Sequence, residues 1–252
     1  MQQLAIADGI AVLTLDRPPA NAINDAWVAA FHARLDELAA RGDWNLLHVR
    51  SQLRLFSAGA DLKDMRARYG TPEGRAAFQV GVRGMQVLFQ RIEDLPRPSL
   101  AEIGGPAMGG GFELALACTF RIAAREIQLG LPEVRLGLLP GAGGTQRLTR
   151  LVGRAVSERL ILGAETVDGA EAERLGLVQW SAPLAELPER AAAIAHRIAG
   201  LPPHAVAEAR TCIAAALDPA ADGFAREVSG GAALLETPET RALVARFLDR
   251  KG

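Results

Sequence analysis

The chain has 252 residues, of which 49% are apolar, and a formal net charge of -1 at pH 7. This length is ample for a sizeable core, and the near balance of charges gives no electrostatic basis for binding nucleic acid or an anionic membrane. Two cysteines are too few for a disulfide framework, and no Cys/His cluster suggests zinc.

The N-terminal segment lacks the basic flank and long apolar stretch of a signal peptide, and no apolar run reaches membrane-spanning length. We therefore expect a cytoplasmic protein. Residues 4–6 and 10–15 are predicted to be two short strands joined at Asp8-Gly9, which is a hairpin signal. Asn24-Asp25 is predicted to cap a helix that runs to about residue 40.

The central part of the chain alternates between strands and helices, which predicts an α/β core. The predicted strands are 46–49, 99–103, 120–123 and 127–129, and the predicted helices are about 76–92 and 109–118. From Gly144 onward the predicted elements are helical, apart from an extended segment at 177–180. The predicted helices there are 145–152, 154–162, 168–175, 187–199, 205–217, 224–235 and 239–248. The sequence thus predicts an α/β core over 1–180 and a helical C-terminal region over 181–252.

Glu113 follows three consecutive glycines, Gly109–Gly111, at the predicted start of a helix. The first turn of a helix has backbone N–H groups without partners, and the helix dipole favours negative charge there. The Glu113 side chain leans back toward the N-terminus on the face of Gly110, an arrangement typical of a catalytic carboxylate beside an oxyanion site. The structural alternative is that the glycines permit close packing and Glu113 caps its own helix.

A second turn of small residues, at 57–63, leads from a strand toward a helix. Its aspartate fits an N-cap, so a tight turn with that cap is the structural alternative. The functional interpretation is that the N–H groups of Ala60 and Gly110 form an oxyanion hole. Lys63, with Arg54 before the turn, would then meet phosphate groups of a ligand.

Glu133 stands twenty residues after Glu113, in a turn held by Pro132 and surrounded by leucine and valine. Two carboxyl groups brought to one apolar pocket would have their pKa values pushed apart, which suits a general acid and a general base. The structural alternative is an ion pair between Glu133 and Arg135 or Arg147. The glycines at 141, 143 and 144 are interpreted as a structural loop.

These three segments, in this order and spacing, resemble the enoyl-CoA hydratase/isomerase (crotonase) superfamily. The resemblance is specific between about residues 56 and 151 and weaker in the C-terminal helices. The matching segments are Ser-Ala-Gly-Ala-Asp-Leu-Lys, Gly-Gly-Gly-Phe-Glu-Leu-Ala-Leu-Ala-Cys and Pro-Glu-Val-Arg-Leu-Gly-Leu-Leu-Pro-Gly-Ala-Gly-Gly-Thr-Gln-Arg-Leu. The resemblance implies a crotonase-like spiral of ββα turns, with C-terminal helices that trimerise to give a trimer or a hexamer built as a dimer of trimers.

The resemblance also implies an acyl-CoA substrate and its reaction. The amides of Ala60 and Gly110 would hold the thioester carbonyl, Glu113 would orient and deprotonate a water molecule, and Glu133 would deliver a proton to C2. A trans-2-enoyl-CoA would thereby become a 3-hydroxyacyl-CoA, without a metal ion and without a cofactor beyond the coenzyme A of the substrate. The residues implied in substrate or CoA binding are Arg54, Ala58, Ala60, Asp61, Leu62, Lys63 and Gly110. The segment 65–80 is implied as the wall of the acyl pocket.

Two alternatives stay open beside hydration. One is another crotonase-type reaction through the same enolate, such as 3-enoyl to 2-enoyl isomerisation. The other is a non-catalytic acyl-CoA-binding protein that retains the fold. The presence of both glutamates favours hydration. The chain departs from the family pattern at Glu102, Thr119 and Ala242-Leu243, away from the glutamates and the oxyanion donors.

Overall fold

The computed structural model describes residues 2–68 and 70–249. Met1, Tyr69 and the last three residues lie outside the described residues. They belong to the predicted core, the predicted acyl-pocket wall and the predicted C-terminal region, respectively. The strands are β1 Gln2–Ala7, β2 Ile10–Leu15, β3 Leu46–Ser51, β4 Ser99–Ile103, β5 Ala107–Met108, β6 Phe120–Ala124, β7 Gln128–Gly130, β8 Thr166–Asp168 and β9 Trp180–Ala182. The helices are α1 Asp25–Ala39, α2 Leu62–Arg66, α3 Pro72–Glu93, α4 Gly110–Ala117, α5 Gly144–Ile161, α6 Gly169–Arg174, α7 Leu187–Ala199, α8 Pro203–Ala215, α9 Gly223–Leu235 and α10 Pro238–Asp249.

Six strands form the larger sheet, in the order β1-β2-β3-β4-β6-β9. β1 and β2 are antiparallel, and the remaining neighbours are parallel. Asp8 and Gly9 connect the first two strands with φ values of 50° and 74°, as a two-residue hairpin turn requires. β4 is buried along its whole length, as expected for a parallel strand covered on both faces. The smaller sheet has the order β5-β7-β8.

The helices begin where the sequence supplies capping groups. The side chain of Asn24 accepts a hydrogen bond from the amide of Trp27 at the start of α1, as predicted. The hydroxyl of Thr71 accepts a hydrogen bond from the amide of Gly74 at the start of α3, and Pro72 occupies the first turn of that helix. Helix α7 packs on strands of the larger sheet. None of the helices in the described part of the chain combines the length and the hydropathy of a membrane-spanning segment.

The chain divides into two compact units, with described residues 2–199 in the first and 200–249 in the second. The first unit contains both sheets and α1–α7. Helix α7 therefore belongs with the sheets, whereas the core predicted from the sequence ends at residue 180. In the second unit α8 packs on α9, and Arg226 forms an ion pair of 2.8 Å with Glu208. The division into a catalytic core and an oligomerisation region stays a prediction.

The predicted strand at 177–180 was placed too early. Leu177 and Val178 are buried in a turn after α6, where both amides donate to the carbonyl of Ala172. Pairing with β6 begins only at Trp180. The short strands β5 and β8 escaped prediction because two or three residues carry no usable periodicity.

Two departures from the family pattern have local partners. Thr119 and Ser99 exchange hydrogen bonds between amide and hydroxyl groups at 3.1 and 3.0 Å, which joins the end of α4 to the start of β4. Glu102 and His48 are both buried, with Oε2 and Nε2 2.8 Å apart, although their alignment does not make a well-formed hydrogen bond. The carboxyl group of Glu102 in this buried strand thus lies beside a polar neighbour.

Candidate active site

Helix α4 begins at a close approach of three chain segments. Gly109 precedes it with φ 53° and ψ -127°, a conformation that favours glycine. Its amide donates to the carbonyl of Gly130 in β7 at 3.0 Å, and the amide of Met108 donates to Ser57 at 3.1 Å. The N-terminus of α4 therefore lies beside the small-residue loop at 57–61 and the end of β7.

Two backbone N–H groups at this junction have no acceptor among the described residues. The amide of Ile23 donates to the carbonyl of Gly59, and the carbonyl of Ile23 accepts from the amide of Asp61. In this parallel pairing the amide of Ala60 points away from Ile23. Gly110 is the first residue of α4, so its amide has no intrahelical partner. A Cβ atom built on Gly110 would lie 3.5 Å from the amide nitrogen of Ala60, which shows how close the two segments are.

Glu113 is held from another part of the chain. It is only 2% exposed, and its Oε1 accepts hydrogen bonds from the amides of Ala142 and Gly144 at 2.8 and 2.7 Å. The carboxylate therefore does not cap its own helix, so that part of the structural alternative is wrong. Since both bonds use Oε1, Oε2 is the oxygen that remains for a ligand.

Glu133 begins a short 3-10 helix, Glu133–Leu136, which is separated from β7 by two residues. Parallel strands β5 and β7 end at the same edge, so the residues that follow them are brought together. A Cβ atom on Gly109 would lie 2.9 Å from Oε1 of Glu133, which places this carboxyl against the start of α4. Oε2 of Glu133 is buried and has no hydrogen-bond partner among the described residues.

The ion pair considered for Glu133 is not formed in the described residues. Arg135 donates instead to the carbonyl of Ala164 at 2.6 Å. Arg147 pairs with Glu93 at 2.9 Å. Glu133 is therefore a half-buried carboxyl without a cationic partner among the described residues, an arrangement more typical of an active site than of a structural ion pair.

One cavity of about 580 Å³ is lined by both glutamates together with Ala60 and Gly110. The predicted catalytic and oxyanion residues are thus brought to one site. Apolar side chains line much of the remaining wall. They are Ile23, Val28, Leu62, Met65, Phe78, Val82, Met85, Leu136, Leu138 and Leu139.

The pKa of Glu113 is raised to about 7, chiefly because burial penalises its charged form. The hydrogen bond from Gly144 lowers the pKa, the charge of Glu133 raises it, and the bond from Ala142 and the charge of Arg147 lower it. Burial also raises the pKa of Glu133. Both carboxyl groups therefore keep their protons to a higher pH than exposed glutamates, which suits acid and base catalysis near neutral pH.

The residues implied in CoA binding lie in different places. Five of them line the cavity: Ala58, Ala60, Asp61, Leu62 and Gly110. Asp61 also caps α2 and forms an ion pair of 3.0 Å with Arg17. Arg54 and Lys63 are exposed and are not part of the cavity lining, so a phosphate contact by either stays a prediction.

The predicted acyl-pocket wall at 65–80 is part of a longer wall. Met65, Arg68 and Phe78 line the cavity, whereas Val80 is 71% exposed. Arg68 also forms an ion pair of 2.7 Å with Asp25, another lining residue.

The two amides that hold Glu113 were not predicted from the sequence. Ala142 and Gly144 lie in the glycine-rich segment interpreted as a structural loop. The glycines immediately before a helix start were the available signal, because such a segment leaves several amides free for a carboxylate.

A model of the enoyl-CoA hydratase/isomerase family matches residues 5–239, and the chain therefore belongs to this family. A probable enoyl-CoA hydratase of Bacillus subtilis is 41% identical over 205 residues, which are 81% of this chain and 78% of the relative. The short-chain-enoyl-CoA hydratase of Clostridium acetobutylicum is 39% identical over 201 residues, which are 78% of this chain and 74% of the relative.

Solved structures agree with this family membership. An enoyl-CoA hydratase from Bacillus anthracis matches with a TM-score of 0.90 at 32% identity, over 99% of this chain and 96% of that one. DspI from Pseudomonas aeruginosa matches with a TM-score of 0.91 at 33% identity, over 99% and 94%. The predicted α/β crotonase-like fold with a helical C-terminal region is thus confirmed. Membership in the family supports an enzyme with an acyl-CoA substrate.

Proposed function

We propose that the protein is an enoyl-CoA hydratase, which adds water across the 2,3 double bond of a trans-2-enoyl-CoA to give a 3-hydroxyacyl-CoA. The observation that carries this proposal is the presence of Glu113 and Glu133 in one cavity with the free amides of Ala60 and Gly110. Relatives named as hydratases, at about 40% identity, support the same reaction.

The reaction begins with the thioester carbonyl between the amides of Ala60 and Gly110. Negative charge that develops on this oxygen is stabilised by the two N–H groups and by the N-terminus of α4. Hydrogen-bond donors fixed in this way typically contribute a few kcal/mol of transition-state stabilisation each, about 3 kcal/mol in mutational studies.

Water then adds at C3 of the enoyl group. Glu113 accepts a proton from the attacking water, and Glu133 gives a proton to C2 of the resulting enolate. One O–H bond of water breaks, C–O and C–H bonds form, and the carbon–carbon double bond is lost. The addition involves no net oxidation or reduction, so no redox cofactor is required, and coenzyme A enters only as part of the substrate.

Absorbance of crotonyl-CoA provides the test, because hydration removes the conjugated thioester chromophore. We expect Glu113→Gln and Glu133→Gln each to lower kcat by about 10²- to 10⁴-fold, with binding of the CoA thioester largely retained. Glu189→Gln, on the exposed surface of α7, is the matched control. Wild-type turnover in either active-site variant would refute the role of that glutamate.

Other outcomes would distinguish the alternatives. Binding of crotonyl-CoA without any loss of absorbance in the wild-type protein would favour a non-catalytic acyl-CoA-binding protein. Conversion of a 3-enoyl-CoA to the conjugated 2-enoyl-CoA, without hydration, would favour an isomerase.

The assembly and location belong to the same proposal. We expect a homo-oligomer, a trimer or a hexamer, acting in the cytoplasm. The second compact unit carries exposed apolar side chains that a further copy of the chain would cover, including Phe224, Val228 and Phe247.

A further inference from the structure

The catalytic geometry proposed for Glu113 depends on a segment without regular secondary structure. Residues 138–143 form a loop that leads into α5, and both donors to Oε1 of Glu113, the amides of Ala142 and Gly144, lie at its end. A short loop holds two amides in fixed positions only when other groups fix its path.

Arg147 contacts this loop from the first turns of α5. The residue is 9% exposed, and its Nη1 donates to the carbonyl of Ala142 at 3.1 Å. A Cβ atom built on Gly143 would lie 2.2 Å from Nη1, so the guanidinium packs directly on the loop backbone. The carbonyl and the amide of Ala142 thus bind Arg147 and Glu113 respectively.

Helix α3 provides the other anchors of the same loop. Nε of Arg147 pairs with Oε2 of Glu93 at 2.9 Å, and Nη2 lies 3.4 Å from Oε1 of Gln90. One turn earlier, Nε2 of Gln86 donates to the carbonyl of Gly141 at 2.7 Å. Residues 86, 90 and 93 lie on one face of the helix, as their spacing requires.

We propose that Arg147, held by Glu93, is a positioning residue that keeps the loop in the shape in which Ala142 and Gly144 bind Glu113. It acts through the loop backbone and is not itself a catalytic residue. For catalysis the inference rests on the proposed hydratase function, whereas the effect on the Glu113 carboxyl does not depend on the reaction.

The charges around Glu113 give this role an electrostatic consequence. Glu113 is influenced by the negative charge of Glu133 and by the positive charge of Arg147. Loss of Arg147 would remove a cation and weaken two hydrogen bonds to the ionised carboxylate. Each change disfavours the charged form, so the pKa of Glu113 would rise.

The test compares Arg147→Gln, Arg147→Lys and Glu93→Gln with the wild-type protein. Arg150→Gln is the matched control, because Arg150 is an exposed arginine on the same helix. Steady-state kinetics across pH give kcat and KM, and ¹³C NMR of labelled glutamate side chains follows the Glu113 carboxyl directly, assigned by its absence in Glu113→Gln.

We expect Arg147→Gln to lower kcat by about 10- to 100-fold with little change in KM, since a small misplacement of a catalytic group has an effect of this size. The Glu113 titration should move upward by roughly one pH unit. Glu93→Gln should change kcat and the Glu113 titration in the same directions by smaller amounts. Arg147→Lys should give values of both between those of the wild type and Arg147→Gln. Arg150→Gln should behave as the wild type.

An unchanged Glu113 titration together with unchanged kcat in the Arg147 variants would overturn the proposal. A loss of thermal stability alone would overturn it as well, because it would show a purely structural role. If Arg147→Gln does not fold, Arg147→Lys and Glu93→Gln still test the positioning role of Arg147. A wild-type protein without hydratase activity would refute the proposed function, while the NMR titration would still test the positioning role.

Discussion

Glu113 and Glu133 show how burial makes an ordinary side chain useful in catalysis. An exposed glutamate is ionised well below neutral pH and holds no proton to exchange. In this protein the pKa of Glu113 is raised to about 7 and that of Glu133 is also raised, in both cases chiefly by burial. The same burial makes the ionised form of Glu113 costly for the folded state.

This cost predicts how stability depends on pH. The folded-state pKa of Glu113, about 7, lies above its ordinary value of 4.5, so the folded protein binds the proton more tightly than the unfolded chain does. Stability from this group is present below pH 4.5 and is lost as the pH rises through 7. By pH 8 the loss amounts to about 3 kcal/mol.

Urea unfolding at pH 4 and pH 8 measures this effect. Relative to the wild type, the free energy of unfolding of Glu113→Gln should increase by about 3 kcal/mol between the two pH values, because glutamine does not titrate. Glu189→Gln serves as the control and should follow the wild type. A difference between Glu113→Gln and the wild type that does not vary with pH would contradict the assigned titration.

The two ends of helix α4 have different roles. Its N-terminus offers the amide of Gly110, and its C-terminus is held by Arg121, which is 3% exposed. Nη1 of Arg121 donates to the carbonyl of Cys118 at 2.6 Å, and Nε donates to Leu177 at 2.8 Å. Burial lowers the pKa of Arg121 to about 10, so the side chain stays a cation near the negative end of the helix dipole.

Arg121→Met should therefore destabilise the protein by about 3 kcal/mol, since backbone carbonyls in the interior would lose their donors. Arg125→Met is the matched control, because Arg125 follows the same strand and is exposed. Chemical denaturation monitored by tryptophan fluorescence would give both values. Equal stability of the two variants would show that Arg121 does not anchor α4.

At the scale of the whole molecule, the second compact unit presents an apolar surface. Phe224 is 84% exposed and Val228 is 75% exposed, one turn apart on α9. Leu235 lies two turns further along the helix and is 61% exposed. Apolar side chains at this spacing form one stripe, and a stripe left open to water favours self-association.

Sedimentation velocity would test this interpretation. We expect the wild-type protein to sediment at three or six times the mass of the chain, and Phe224→Asp to shift it toward smaller species, because a charge in a buried interface is costly. Ser229→Asp places the same charge on α9 outside the apolar stripe and should leave the assembly unchanged. A monomeric wild-type protein would refute the oligomer.

The sequence alone was sufficient wherever the signal is local. The hairpin at Asp8-Gly9, the cap of α1 and the helix that carries Glu113 depend on neighbours within a few residues, and each was predicted close to its observed position. The candidate site residues were likewise visible as glycines and carboxylates in apolar surroundings.

Only the tertiary structure decided what meets at the site. Glu113 binds amides about thirty residues further along the chain, Glu133 reaches the same cavity because β5 and β7 are neighbours, and Arg147 pairs with Glu93 instead of Glu133. The physical reason is that local spacing determines which way a side chain faces along its own element. Its partners depend on strand order and loop path, which are set by packing of the whole core.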